Sequence, residues 1–393
     1  MRRLGSVPHV LCFLHSFEPG GVERTALRLC GAWHEAGVDV TIMLGRDEGA
    51  LHAERPGCPY LVPYRPRFST APFETAWMIA QLPAMIRRSR PDLLYCSGNS
   101  YTVVAVAMKL LLGRDCPPII AKISNDLARP DLSLPIRAMY RLWCRIQAYC
   151  LDHLIALSPA MRDEILAIMR ARPERVSVIA NPVLDHGRRR ALAEAGRTAR
   201  RTSGTGRRFL AIGRLVPQKD FALLIRAFAL GAGPDDRLVI VGEGPERRRL
   251  ERLIRASTLH DRVRLAGHSD RIERWIARSD ILLLSSRYEG LPGAVVEALA
   301  AGLGVVATDC CTSMAALLNH GRFGTLVPPR SLSALADAIA GTAPGQADWQ
   351  AAAEFAATFD VSATVTGYRN LFDRILPTPI IGAALRDTDR KAA

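Results

Sequence analysis

No stretch of the 393 residues reaches the roughly 18 uncharged apolar positions that a membrane-spanning helix needs. The nearest run, Tyr101–Leu112, is interrupted by Lys109. Met1-Arg2-Arg3 ahead of Val10–Phe13 has the outline of a signal peptide. That apolar run is short, is bounded by His9 and His15, and has no small-residue cleavage site behind it. The expectation is a soluble protein or one lying peripherally on a membrane surface. Aromatic residues are scarce, at 6%, and no basic stripe interleaved with aromatics, zinc-finger spacing or recognition helix is present. No nucleic-acid partner is expected. None of the nine cysteines forms a C-x-x-C pair, which argues against a zinc site, and the odd count in a long chain argues against a disulfide framework. Several lie in apolar runs, as buried thiols do, and fit a reducing cytoplasm.

Catalytic signatures are missing as well. There is no G-x-x-x-x-G-K-[ST], H-E-x-x-H or G-x-S-x-G, and Gly242-Glu243-Gly244 lacks the third glycine of a dinucleotide fingerprint. A single D-x-D, Asp387-Thr388-Asp389, falls in a polar tail rather than after a strand, so no metal site is expected.

What is present is a chain 49% hydrophobic and long enough for two cores. Its net charge of +14 favours an acidic partner: nucleic acid, anionic lipid headgroups or a phosphorylated substrate. Short apolar runs alternate with helical patterns. In the first half the strand candidates are His9–Leu14, Val38–Leu44, Leu93–Cys96, Pro118–Ile123, His153–Leu157 and Val176–Ala180. The second half offers Phe209–Ile212, Arg237–Val241, Arg262–Leu265, Ile281–Leu284, Val305–Thr308 and Thr325–Val327. Most are unbroken apolar runs, as strands buried on both faces require, and the alternation with helices gives an α/β protein with parallel sheets. The reading is two doubly wound domains, 1–184 and 209–350. Between them, 185–208 holds eight Arg and one Glu and reads as a polar linker or exposed arm that can touch phosphate or membrane. A helix over 351–376 is expected to pack back toward the first domain, followed by a tail, 377–393.

The segment Ser279–Asp309 carries the densest chemistry. A buried strand ends at Leu284, a loop reaches Pro292, and a helix follows. Ligands of open α/β sheets bind at the carboxyl ends of strands. Glu289 stands in that loop and Glu297 a little over a turn inside the helix, both able to accept bonds from sugar hydroxyls. The amides of Gly293, Ala294 and Val295 at the helix start favour phosphate. A second strand-to-helix loop, Gly213–Asp220, is bracketed by Arg214 and Lys219, two cations suited to a diphosphate. A third, Glu18–Arg24, pairs Gly20 with Gly21 at the opening of a helix, where backbone can approach a ligand closely.

At these residues the chain resembles the retaining glycosyltransferases of family 4, whose GT-B fold sets two Rossmann-like domains facing across a cleft. The resemblance rests on Gly20-Gly21-Val22-Glu23, Ile179-Ala180-Asn181-Pro182-Val183, Gly213-Arg214-Leu215 with Gln218-Lys219, Val241–Pro245, and Glu289-Gly290-Leu291-Pro292 through Glu297–Gly302. It implies a nucleoside-diphosphate-sugar donor and a saccharide or lipid-linked acceptor. In that reading Arg214 and Lys219 hold the diphosphate, Glu297 takes the ribose hydroxyls and Glu289 contacts the donor sugar. Gly293 and Ala294 present amides, Gly20 and Gly21 close on the diphosphate, and Gly267-His268 lies where the base sits. Neither metal nor cofactor is implied. Many relatives have a histidine where this chain reads Ala121-Lys122-Ile123-Ser124-Asn125-Asp126; Asn125 or Asp126 stands in its place. A Gly-Pro step common in relatives is replaced by Cys310-Cys311-Thr312-Ser313-Met314. The resemblance also suggests work in cell-surface polysaccharide or glycolipid synthesis at the inner membrane face, with Arg188–Arg190 and Arg200-Arg201 near anionic headgroups. Two rivals remain: a nucleotide-sugar epimerase of the same architecture, which needs no acceptor, and a basic nucleic-acid-binding protein.

Overall fold

The computed structural model describes residues 7–18, 20–63, 70–125, 127–129, 132–201, 206–345 and 348–376. Met1-Arg2-Arg3, Pro19, Asp126 and the Asp387-Thr388-Asp389 triplet lie outside them.

The strands are β1 (His9–Leu14), β2 (Asp39–Leu44), β3 (Tyr60–Leu61), β4 (Leu93–Cys96), β5 (Ile119–Lys122), β6 (His153–Ala156), β7 (Val176–Val178), β8 (Arg208–Ile212), β9 (Arg237–Val241), β10 (Val263–Gly267), β11 (Ile281–Leu284), β12 (Gly304–Thr308) and β13 (Thr325–Val327). The helices are α1 (Gly21–Glu35), α2 (Glu74–Ser89), α3 (Thr102–Leu112), α4 (Leu134–Cys150), α5 (Pro159–Glu164), α6 (His186–Arg201), α7 (Phe221–Gly231), α8 (Arg247–Ala256), α9 (Ile272–Ile276), α10 (Gly293–Ala301), α11 (Met314–Leu317), α12 (Leu332–Gly341), α13 (Trp349–Ala356) and α14 (Val361–Ile375).

One sheet runs β3-β2-β1-β4-β5-β6-β7 and the other β10-β9-β8-β11-β12-β13. The second has the strand order of a Rossmann sheet, and the first is the same order with one strand added. In each, the order reverses beside the first strand of its half, between β1 and β4 and between β8 and β11. Those switch points are where such sheets open a ligand crevice. Val10–Leu14 and Ile281–Leu284 are buried throughout, as their unbroken apolar sequence requires.

The chain forms two compact units. One holds the residues up to Lys122, Tyr149–Leu154 and those from Val365 on; the other holds Ile123–Ala148 and Ile155–Thr364. In the first unit Trp33 is the hub of an aromatic cluster, its ring 5.0 Å from Tyr95, 4.9 Å from Tyr368 and 5.2 Å from Phe372. Tyr368 and Phe372 belong to α14, so the last helix among the described residues completes this core. In the second unit α10 packs beside α6 and α13, with Val295, Val296, Ala298 and Leu299 fully buried.

Two segments differ from the sequence reading. The Arg-rich stretch is no extended linker: His186–Arg201 is helix α6, with Leu192, Ala195 and Ala199 buried. Its Gly196 lies so close to α10 that a Cβ there would meet the Ala301 carbonyl oxygen at 1.7 Å. Small residues in place of large apolar ones hide this face among the arginines. The expected helix over 351–376 is two helices, broken at Asp360, whose carboxylate accepts from the Ser362 amide at 3.0 Å and its hydroxyl at 2.9 Å and so starts α14.

Candidate active site

The loops after β8 and β11 meet at the second sheet's switch point and are laced together. Gln218 Nε2 donates to the Tyr288 carbonyl at 2.8 Å, the Arg287 amide to the Gln218 carbonyl at 2.8 Å, and Ser285 Oγ to the Lys219 carbonyl at 2.8 Å. Arg287 Nε also donates to Asp220 Oδ2 at 2.8 Å. This frame sets Lys219 against Glu289: the ammonium donates to Glu289 Oε1, which also accepts from Ser286 Oγ at 2.7 Å. The carboxylate is 11% exposed, and its Oε2 has no bond among the described residues. Arg214 is exposed in the same loop as Lys219. The loop after β12 joins in, as the Glu289 amide donates to the Cys310 carbonyl at 2.9 Å. The Cys310-Cys311 segment therefore supports Glu289 through its backbone.

Gly290 admits another strand end. A Cβ there would stand 1.8 Å from the Ser124 carbonyl oxygen and 3.8 Å from the Asn125 amide nitrogen. Asn125, exposed, is thus brought beside the Glu289 loop, whereas Asp126 lies outside the described residues.

Glu297 sits in α10, about one turn past Gly293. Its Oε1 accepts from Arg188 Nη2 at 2.8 Å and Nε at 3.2 Å, while Arg188 Nη1 reaches Glu273 at 3.1 Å. Glu297 Oε2 carries no bond among the described residues, and the side chain is 18% exposed. Both glutamates therefore have one oxygen tied by a cation and the other open. At the head of α10 the Val295 amide is not free, since it donates to the Pro292 carbonyl at 3.0 Å. Gly293 and Ala294, both half-buried, keep their amides at the helix start.

The Gly267-His268 turn closes β10. Gly267 has φ +84°, a left-handed conformation that suits glycine, and its carbonyl accepts from the Gly242 amide at 2.8 Å. His268 is exposed, with Nε2 2.9 Å from Asp270 Oδ1. A cavity of about 600 Å³ follows, lined by Asp270, Arg271, Arg274, Trp275 and Arg278 among others; Lys219, Glu289 and Glu297 do not line it.

At the first sheet's switch point the Gly20-Gly21 pair divides its work. A Cβ at Gly20 would meet Glu23 Oε2 at 1.8 Å, whereas Gly21 faces open space. Gly20 thereby lets Glu23 fold back to accept from the Tyr101 hydroxyl at 2.7 Å. Tyr101 stacks on His15 at 4.6 Å, and burial holds the His15 imidazole below its ordinary pKa. The sequence pattern did not mark Tyr101, His15 or Lys122 as a group; only the folded order of β1, β4 and β5 does.

Lys122 ends β5 and is 1% exposed; burial pushes its ammonium down to about 8. The folded value lies below the unfolded one, so the unfolded chain holds more protons between the two. Stability from this group rises as pH climbs from 8 toward 10.5, and at neutral pH the buried charge costs about 3 kcal/mol. Lys122→Met is expected to raise the melting temperature at pH 7 and to lose that advantage by pH 10.5. Thermal unfolding of both proteins across this range checks it; a variant less stable at pH 7 contradicts it.

Residues 19–184 match the family described as Glycosyltransferase Family 4, and residues 206–343 the one described as Glycosyl transferases group 1. An exopolysaccharide phosphotransferase of Streptomyces coelicolor is 36% identical over 197 residues, which is 49% of this chain but 20% of that protein. An N-acetylgalactosamine-N,N'-diacetylbacillosaminyl-diphospho-undecaprenol 4-alpha-N-acetylgalactosaminyltransferase of Campylobacter jejuni is 36% identical over 118 residues, 30% of this chain and 32% of that protein. Among solved structures, Anabaena HepE in complex with UDP superposes over 94% of this chain and 100% of its own, with a TM-score of 0.74 at 20% identity, so the fold is shared throughout.

Proposed function

The chain belongs to the family 4, group 1 glycosyltransferases, with their two-domain α/β GT-B fold, and from that premise we propose that it moves a hexosyl group from a nucleoside-diphosphate sugar to a saccharide or lipid-linked saccharide. The observation that carries this is the Lys219–Glu289 pair at the β8/β11 switch point, with Arg214 exposed in the same loop as Lys219. A cation for a diphosphate and a carboxylate with an open oxygen for a hydroxyl are what such a donor needs side by side. The names of the Streptomyces and Campylobacter relatives support an acceptor in exopolysaccharide or undecaprenol-linked glycan synthesis.

In the proposed reaction the bond from anomeric carbon to phosphate oxygen breaks, and its electron pair leaves with the diphosphate. The acceptor oxygen bonds to the same face of that carbon, so the anomeric configuration is kept. Its proton passes to the departing phosphate oxygen. Arg214 and Lys219 stabilise the charge that builds there, in place of a metal. Glu289 Oε2 accepts from the donor sugar and Glu297 Oε2 from the ribose. The amides of Gly293 and Ala294 add donors for phosphate.

Thermal-shift measurements against UDP, GDP, ADP and their sugars, followed by transfer assays on lipid-linked and soluble saccharides, test the reading. Stabilisation by one nucleotide series and transfer with retained configuration in the presence of EDTA are expected. Interconversion of the donor without any acceptor would favour an epimerase. Arg188→Met, which unties Glu297, is expected to raise the donor KM about fivefold to tenfold with kcat within about twofold. A fall in kcat alone would place Glu297 elsewhere in the reaction.

A further inference from the structure

Helix α4 is turned inside out relative to an ordinary surface helix. Its 17 residues bury Cys144 and Gln147 and leave large apolar side chains in the open. Met139, Leu142, Ile146 and Tyr149 follow one another at intervals of three and four, so they share one face. That face is opposite the buried pair, since Gln147 and Cys144 fall about half a turn away at 3.6 residues per turn. Met139 is 67% exposed, Leu142 58% and Tyr149 87%. Exposing such a run to water costs stability unless something covers it. Arg141 and Arg145, both exposed and without a partner among the described residues, flank the stripe one turn apart. The helix holds three arginines and no aspartate or glutamate, in a chain of net charge +14.

We infer that α4 docks the protein on an anionic lipid bilayer. The apolar stripe enters the boundary between headgroups and acyl chains, and Arg141 and Arg145 pair with lipid phosphates. An apolar stripe edged only by cations suits that surface better than a protein groove, which would offer the arginines no uniform negative charge. Two of the five arginines that sequence alone places near headgroups, Arg188 and Arg200, have internal partners. Arg188 holds Glu297 and Glu273, and Arg200 donates to the Ala301 carbonyl at 3.1 Å and stacks 4.3 Å over Trp349. No helix among the described residues is long and apolar enough to cross a membrane, so contact through α4 is with the surface. The docking deepens the lipid-linked-acceptor reading but stands or falls separately from sugar transfer.

Flotation of the full chain with phosphatidylglycerol–phosphatidylcholine vesicles, against vesicles of phosphatidylcholine alone, tests it. Binding to the anionic vesicles is expected and should weaken in high salt. The double variant Leu142→Glu with Ile146→Glu should lower it about tenfold or more, and Arg141→Glu with Arg145→Glu about as much, at unchanged melting temperature. Absence of binding at low salt, or variants that float like the parent, overturns the proposal. So does a parent that sediments as a dimer and becomes a monomer on Leu142→Glu without binding lipid, which would make the face a contact between two copies. Nucleotide-induced thermal shift, read on the same samples, reports donor binding independently of the vesicles.

Discussion

Lys219→Ala is expected to lower turnover on the nucleotide-sugar donor by about 10²–10³-fold, and Arg214→Ala by a similar factor. The size follows from the role. A fixed cation beside a departing diphosphate acts where charge builds in the transition state, and such donors are worth far more there than in water. Lys219 is firmly held in place. Its ammonium is tied to Glu289, its carbonyl receives Ser285 Oγ at 2.8 Å, and its aliphatic stem passes Gly213 so closely that a Cβ there would stand 3.1 Å from Cε. Lys219→Arg should rescue little, because a planar fork does not fill the space of a point charge. The variants are to be compared by circular dichroism and by single-turnover kinetics at saturating donor. Losses below about threefold in both would remove the diphosphate from this loop.

The chain order of the elements was legible because parallel strands buried on both faces leave unbroken apolar runs. His9–Leu14 and Ile281–Leu284 form strands over the residues that their sequence marks. Tyr60–Leu61 is a two-residue edge strand, too short to leave a pattern. Helix α6 was hidden because its inner face is Leu192, Ala195, Gly196 and Ala199, and small residues carry little hydrophobic signal beside eight arginines in 185–208. The two glutamates and two cations could be picked out because each follows a strand. Their partners could not. Arg188 and Glu297 are separated by 109 positions and Lys219 and Glu289 by 70, and no local pattern encodes such pairs. The buried Lys122 was equally silent, since an isolated lysine at a strand end ordinarily reads as exposed.

Glu289→Gln separates two roles that the geometry allows for this carboxylate. The amide keeps the shape and can still accept from Ser286, so the loop, pinned by the Glu289 amide on the Cys310 carbonyl, should stay in place. Turnover is expected to fall about 10²-fold, since an anion that grips a sugar hydroxyl becomes a neutral acceptor near a cationic transition state. Affinity for the free nucleoside diphosphate gives the second reading. Removing the negative charge frees Lys219, so the diphosphate should bind as well or more tightly in Glu289→Gln, whereas it should bind more weakly in Lys219→Ala. Calorimetric titration of both variants with the nucleotide that stabilises the parent decides this. If both variants lose nucleotide affinity together, Glu289 serves only to position Lys219, and the sugar must be gripped by another residue; Asn125, beside Gly290, is then the first to replace.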